Sequence, residues 1–206
     1  MKIAVIGSTS ATGLHLVAKG VRRGHEITAF SRRPQKLAGI QGLANVVAGN
    51  GLDASDVSKA IAGQDAVIAI VGSNPKSRTK EATEVIRNVI SEMRTEDVRR
   101  LLFVSSYLLE ATRPRIMMPV IRWWLRDSLE DLKSAEELIT TSQMKWTVIR
   151  PTELNDKPET NKVRLERNSH FSSGPYEISR RDLANVILDE LEQEKYIGTR
   201  VMVSWS

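Results

Sequence analysis

The chain has 206 residues, with 30 Lys and Arg against 25 Asp and Glu, a formal net charge of +5 and no cysteine. That length buries roughly 70% of the unfolded surface in one core. The lack of thiols excludes disulfides, thiolate metal sites and cysteine nucleophiles, and fits a reducing, cytoplasmic setting. The basic excess is scattered over Arg22/Arg23, Arg32/Arg33, Arg99/Arg100 and Arg180/Arg181, with no basic-aromatic interleaving, so it reads as solvated surface and not a nucleic-acid stripe. No apolar stretch reaches the ~20 residues of a membrane span, and Met1 leads directly into an apolar strand, so neither a membrane anchor nor a signal peptide is expected. His15, His25 and His170 have no metal-site spacing.

In chain order, Lys2 to Ile6 predicts a buried strand, and Gly7-Ser8-Thr9-Ser10-Ala11-Thr12-Gly13 a turn of small residues. Leu14, Val17, Ala18 and Val21 recur at helical spacing. Arg22, Arg23 and Gly24 close that helix. Glu26 to Phe30 is a second strand, completing a βαβ unit with the pyrophosphate of a dinucleotide expected at the helix N-terminus. Asn45 to Ala48 is a third strand, followed by a short helix capped by Asp53 or Ser55. Ala66 to Val71 is apolar without alternation, as a central parallel strand requires. A long helix carries Ala82, Val85, Ile86, Val89, Ile90 and Met93. Leu101 to Val104 is a fifth strand, Arg113 to Trp124 an irregular stretch, Asp127 to Thr141 a helix and Trp146 to Ile149 a sixth strand. Asn155 to Pro175 reads as a polar loop. Ser179 to Asp182 has capping-box spacing for a last helix, and Val201 to Val203 is a final strand. The expected architecture is α/β: one Rossmann-like, doubly wound parallel sheet with helices on both faces. Residues 1–206 form one domain in this reading, with small substrate-covering regions around 107–126 and 152–178.

The opening Ile6-Gly7-Ser8-Thr9-Ser10-Ala11-Thr12-Gly13 resembles the G-A-T-G-x-T-G turn of atypical short-chain dehydrogenase/reductases. Within these the chain is most similar to the NmrA-like group that includes biliverdin reductase B (flavin reductase) and bacterial NADH-flavin reductases. Further matches follow in order: Ser31-Arg32-Arg33, Gly49-Asn50, Gly63 to Ile68, Ser105-Ser106, Lys133 to Leu138, Thr147 to Thr152, and Ile178 to Ala184. The resemblance implies an NAD(P)-binding fold and a reductase-like activity. Three positions depart from the pattern. Ser10 replaces a glycine, which a negative φ would permit, and its hydroxyl could donate to a phosphate. Asn50 replaces the aspartate beside adenine and can still accept from the exocyclic amine. Leu129 stands four residues before Lys133, so the Tyr-x-x-x-Lys pair of the larger superfamily lacks its tyrosine.

The cofactor-binding residues expected on this basis are Gly7, Thr9, Ser10, Ala11, Thr12 and Gly13 at the pyrophosphate turn, with Ser31, Arg32, Arg33, Asn50 and Gly51 toward the adenosine. Val71, Gly72, Ser73, Ser105, Arg150, Pro151 and Thr152 complete the set along the strand ends. No carboxylate follows the second strand; Arg32 and Arg33 would instead pair with a 2′-phosphate, favouring NADPH over NADH. Ser106 either hydrogen-bonds substrate and nicotinamide or caps a helix. Tyr107 is either an acid or a packing residue. Lys133 either holds the nicotinamide ribose or faces solvent. Met117, Met118, Trp123 and Trp124 cover a flat acceptor or form a packing or dimer surface.

These readings converge on an NADPH-dependent reductase passing a hydride to a flavin, quinone or tetrapyrrole-like acceptor, with NADH as a second donor. Basic residues near the carboxyl edge suit an anionic acceptor such as FMN. A planar conjugated acceptor can take its proton from solvent, whereas an isolated ketone needs an acid at hand. A non-catalytic NADP(H)-binding regulator of the NmrA type suits the missing tyrosine equally. A third reading is an epimerase or dehydratase acting on a nucleotide sugar, for which the short C-terminal part leaves little room for a sugar domain. The partners expected are a small planar molecule and at most a second copy of the chain, as monomer or homodimer.

Overall fold

The computed structural model describes residues 1–72, 80–111, 118–167 and 175–206. The apolar run β1 (Lys2–Ile6) lies between β2 (Glu26–Ser31) and β4 (Ala66–Ala69), parallel to both. β3 (Asn45–Ala48) extends the sheet beyond β2. On the other side come β5 (Arg100–Val104), β6 (Lys145–Pro151), β10 (Thr199–Trp205) and β8 (Val163–Glu166), giving the order β3-β2-β1-β4-β5-β6-β10-β8. β7 (Glu153–Asn155) and β9 (Glu177–Ser179) pair with each other as a separate parallel ribbon.

Helices cover both faces because the central strands are apolar on both. The α2 (Ala54–Ile61), α3 (Glu81–Thr95) and α5 (Arg126–Thr141) helices pack over Ile6, Val67, Leu101, Phe103 and Val148. The α1 (Ala11–Arg22) and α6 (Arg180–Gln193) helices pack over Ile3, Val5, Ile68, Leu102 and Val201. Asp53 caps α2, accepting from the Ser55 and Asp56 amides. Ser179 caps α6, accepting from Asp182 N at 3.0 Å. No helix among the described residues is long and apolar enough to cross a membrane.

Several boundaries differ from the sequence reading. The stretch expected to be a loop from Asn155 to Pro175 contains β8, which runs antiparallel to β10, so the sheet is mostly and not wholly parallel. Val163 and Leu165 lean on the α1–α6 core, while Arg164 and Glu166 alternate with them, a charged edge that resists pairing with another chain. β4 ends at Ala69, two residues early, yet Ile70 N still donates to Ile6 O at 2.9 Å, so the ladder runs one step further. β6 and β10 are longer than expected because they pair with each other from Thr199↔Thr147 to Val203↔Pro151. Within the stretch expected to be irregular, Met118–Trp124 is helical (α4). In α1 the most buried side chains are Leu16 and Val17, with Leu14 and Val21 at the margin, so the core-facing stripe is rotated from the predicted one.

Candidate functional site

The carboxyl ends of β1, β2, β3 and β4 open onto a cleft lined by Gly7, Thr9, Ser10, Ser31, Arg32, Arg33, Asn50, Gly51, Val71 and Gly72 from the expected set. Phe30, Glu81 and Val85, which were not expected, also line it. Ser73 lies outside the described residues.

The turn after β1 is built so that backbone can approach the cleft. Gly7 has φ +85°, and a Cβ there would sit 2.2 Å from Ile70 O. A Cβ on Gly13 would sit 2.4 Å from Gly7 O. Only hydrogen fits at either place. Ser10, by contrast, has φ −68° and ψ 161°, extended backbone that accepts a side chain. Its Oγ accepts from Gly13 N at 3.0 Å, and its N–H donates to Gly7 O at 3.0 Å. Ala11 and Thr12 occupy the first two helical positions, where the amides have no intrahelical acceptor. Two amides without helical acceptors, the positive end of the α1 dipole and the donor capacity left to Ser10 Oγ are gathered at this one turn, a fit for a pyrophosphate.

Side chains tie this turn to β2. Ser8 Oγ donates to Phe30 O at 2.8 Å, and Thr9 Oγ1 and Ser31 Oγ are 2.5 Å apart. Ser31 Oγ also accepts from Arg33 N at 2.9 Å. Arg32 reaches out from there, 64% exposed, and pairs with Glu81 at 2.9 Å across the cleft. Arg33 is exposed and makes no ion pair among the described residues. Asn50 turns its carbonyl back onto Leu52 N at 3.2 Å, and its N–H donates to Asp56 at 3.1 Å. Asn88 donates to Gly51 O at 3.0 Å, which fixes the floor of that loop.

Further along the same edge, Ser105 follows β5. It is buried, its amide donates to Ile149 O at 2.8 Å, and its hydroxyl has no partner among the described residues. An unpartnered buried hydroxyl costs about 1–3 kcal/mol, so one at a strand's carboxyl end points toward a ligand. Ser106 takes the capping role: its Oγ accepts from Leu108 N at 3.3 Å. Tyr107 packs its ring 6.4 Å from that of Tyr176, and burial, then the nearby Glu153 charge, pushes its phenol above the ordinary value.

Three expected residues are placed elsewhere by the structure. Lys133 is 71% exposed on α5 with Glu137 at 3.9 Å, on the solvent side of its two readings. The Arg150 guanidinium points away from the cleft into a buried cluster. It donates to both oxygens of Glu136 at 2.9 and 2.6 Å and pairs with Glu110 at 2.5 Å. Arg200 completes the cluster at 2.9 Å from Glu136. Thr152 is consumed by Val203 O and Ser204 Oγ, both at 3.2 Å, so Pro151 and Thr152 can offer only backbone to a ligand. In α4, Val120, Trp123 and Trp124 are 65%, 77% and 69% exposed. Met117 and the side chain of Met118 lie outside the described residues. Glu81 is the charged lining residue that sequence reasoning missed, and a lone glutamate at a helix start carries no signal of its own.

Comparison with known proteins fits this geometry. Residues 7–194 match the family described as NAD(P)H-binding. A reductase from Aspergillus terreus, pytE, is 23% identical over 98% of this chain and 97% of its own. A structure of a putative NAD-dependent epimerase/dehydratase from Bacillus halodurans superimposes with TM-score 0.82 at 25% identity, covering 100% of this chain and 94% of its own. That of ChuY, an anaerobilin reductase from Escherichia coli O157:H7, does so with TM-score 0.82 at 20% identity, covering 98% and 96%. With its match running from the glycine turn through α6, the chain belongs to the NAD(P)H-binding family.

Proposed function

We propose that the chain is an NADPH-dependent reductase acting on a flat conjugated acceptor, of the flavin, quinone or tetrapyrrole kind. The observation that carries this reading is the layout of one continuous edge. A glycine-walled anion turn stands at its centre, with two arginines to one side after β2 and, to the other after β5, a buried serine hydroxyl without a partner among the described residues. A nicotinamide dinucleotide needs those three features in that order. When bound, the nicotinamide ring supplies the hydride chemistry.

The chain's own residues bind, orient and exclude water. Ala11 and Thr12 amides with the Ser10 hydroxyl hold the pyrophosphate. Arg32 and Arg33 take the 2′-phosphate, and Asn50, Gly51, Val71 and Gly72 wall the adenine. Ser105 donates to the nicotinamide carboxamide, with the Pro151 and Thr152 backbone beside it. Tyr107, its acidity weakened by burial and by Glu153, stays protonated at neutral pH and serves as a weak donor at most. That is enough for a flavin or quinone, which takes protons from water, and too little for a ketone. Trp123 and Trp124, exposed within the 107–126 region, are the side chains this reading assigns to cover a flat ring. The names reductase and anaerobilin reductase carried by pytE and ChuY support this class of reaction.

A second reading, an NADP(H)-binding regulator without turnover, is favoured by one observation: Ser106 is spent on a cap and Lys133 faces solvent, so no acid-base pair is assembled. One experiment separates the two. NADPH absorbance is followed with FMN, riboflavin, a quinone and biliverdin offered in turn, while NADPH binding is measured by calorimetry. Multiple turnovers with any acceptor, faster with NADPH than NADH, are expected. Tight NADPH binding with no turnover on all four would overturn the reductase reading in favour of the regulator.

A further inference from the structure

The notable contact in the cleft is the ion pair that bridges its two rims. Arg32 Nη1, from the end of β2, lies 2.9 Å from Glu81 Oε1, at the first position of α3. The acid that is absent after the second strand in sequence is therefore present there in space. We propose that Glu81 sets the choice between the two nicotinamide cofactors, competing with a 2′-phosphate for Arg32; the inference rests on the cleft being the dinucleotide site.

Glu81 is free for this task because its own helix does not need it. The start of α3 is capped from α5: Asp131 accepts from Ala82 N at 3.0 Å, Thr83 N at 2.9 Å and Thr83 Oγ1 at 2.6 Å. A capping carboxylate from another helix also anchors this rim, with Lys80 and Glu130 at 3.6 Å beside it. The Glu81 side chain is only 22% exposed and sits in the first turn of α3. Arg32 is the more exposed partner, at 64% on a long stem.

The consequence follows from charge. A 2′-phosphate brings roughly two negative charges beside the Glu81 carboxylate and must draw the Arg32 guanidinium away from it. A 2′-hydroxyl meets the same carboxylate as a hydrogen-bond acceptor, the part an acid plays in NAD-selective sites. Arg33, exposed and without an ion pair among the described residues, remains as an uncontested cation. The pair thus serves both cofactors and tempers the phosphate preference that two arginines alone would give.

The test is calorimetric binding of NADP⁺ and NAD⁺ to the wild-type chain, Glu81→Gln, Arg32→Ala and the double variant, with thermal melts to confirm folding and Glu81→Ala as a second removal. Glu81→Gln is expected to tighten NADP⁺ by about fivefold and leave NAD⁺ unchanged or weaker by about threefold or less. In the Arg32→Ala background the NADP⁺ gain should shrink below about twofold, because the contested group is gone. NADP⁺ binding that weakens or stays the same in Glu81→Gln would overturn the proposal, as would a gain of equal size without Arg32. A wild-type chain that prefers NAD⁺ would sink the NADPH preference while leaving the Glu81 shift measurable. A chain that binds neither cofactor would sink the dinucleotide reading of the cleft.

Discussion

The two ends of the strand edge are built from different materials. At the nucleotide end, from β3 to β4, the surface is backbone, glycine and small hydroxyls. Its geometry is set by where a Cβ cannot stand, as at Gly7 and Gly13. At the end proposed to meet the acceptor, beyond β5, the structure rests on buried charges joined over long stretches of chain: Glu136 with Arg150 and Arg200, and Asp182 with Trp205, Thr160 and Asn161. The first end is shaped by steric exclusion, which lets backbone approach the cleft. The second is held together by electrostatics, and its parts are worth most to stability.

That contrast is broken most directly at Glu136. Its carboxylate is buried among Arg150 and Arg200, so Glu136→Ala leaves the buried Arg150 guanidinium with Glu110 alone as its carboxylate partner and should cost about 3 kcal/mol in denaturant unfolding. NADPH affinity of the folded fraction should change by less than about twofold, since no phosphate contact is lost. The reverse pattern, lost cofactor with stability intact, would place the cluster in the nucleotide site. At the opposite end, Gly7→Ala combines a left-handed φ with a Cβ 2.2 Å from Ile70 O. A cost of about 2–3 kcal/mol is expected, and here NADPH binding should fall with it, because the turn that presents the Ala11 and Thr12 amides must shift.

The same division explains what could be read without coordinates. The glycine turn, the succession of strands along the chain up to β6 and most of the cleft lining were legible because they depend on local residue type and on period. The small run from Gly7 to Gly13 admits few structures, and Ala66 to Ala69 is apolar on both faces. The acceptor end was not legible in that way. Arg150 matched a family motif beside the strand, but its side chain alternates to the face of α5, where Glu136 waits. Arg32 was read as a phosphate ligand, and nothing local announced that Glu81 would meet it. β8 did leave a trace, the alternation Val163-Arg164-Leu165-Glu166, which its polar flanks concealed.

Asp182 sharpens the comparison through pH. Its carboxyl is buried, which alone would raise its pKa, but donors from Trp205, Asn161, Ser179 and Thr160 outweigh burial and hold it below the ordinary carboxylate value. A folded-state pKa below the unfolded one contributes stability above about pH 4 and loses it as pH falls through the folded value. Asp182→Asn should therefore lower stability at neutral pH by about 2 kcal/mol and flatten the acid side of the melting profile. An unchanged acid limb would show that Asp182 is not the group that titrates.

The smallest effect is the most specific, because it should change sign with the ligand. The Ser105 hydroxyl is buried without a partner among the described residues, at the boundary between the two ends. In the free protein Ser105→Ala removes a desolvated group that gains nothing, so stability should stay level or rise by up to about 1 kcal/mol. In the NADPH complex the same change should remove a hydrogen bond, weakening binding by about 0.5–1.5 kcal/mol, up to roughly tenfold. Melting curves with and without NADPH measure both quantities on one sample, since the ligand-induced rise in Tm reports the affinity. If Ser105→Ala destabilises the free protein, the hydroxyl already has a structural partner and the edge beyond β4 belongs wholly to the acceptor end. If it is neutral alone and costly only with NADPH bound, the dinucleotide spans the boundary, and Ser105 is where the backbone-built site hands the nicotinamide to the charge-built pocket.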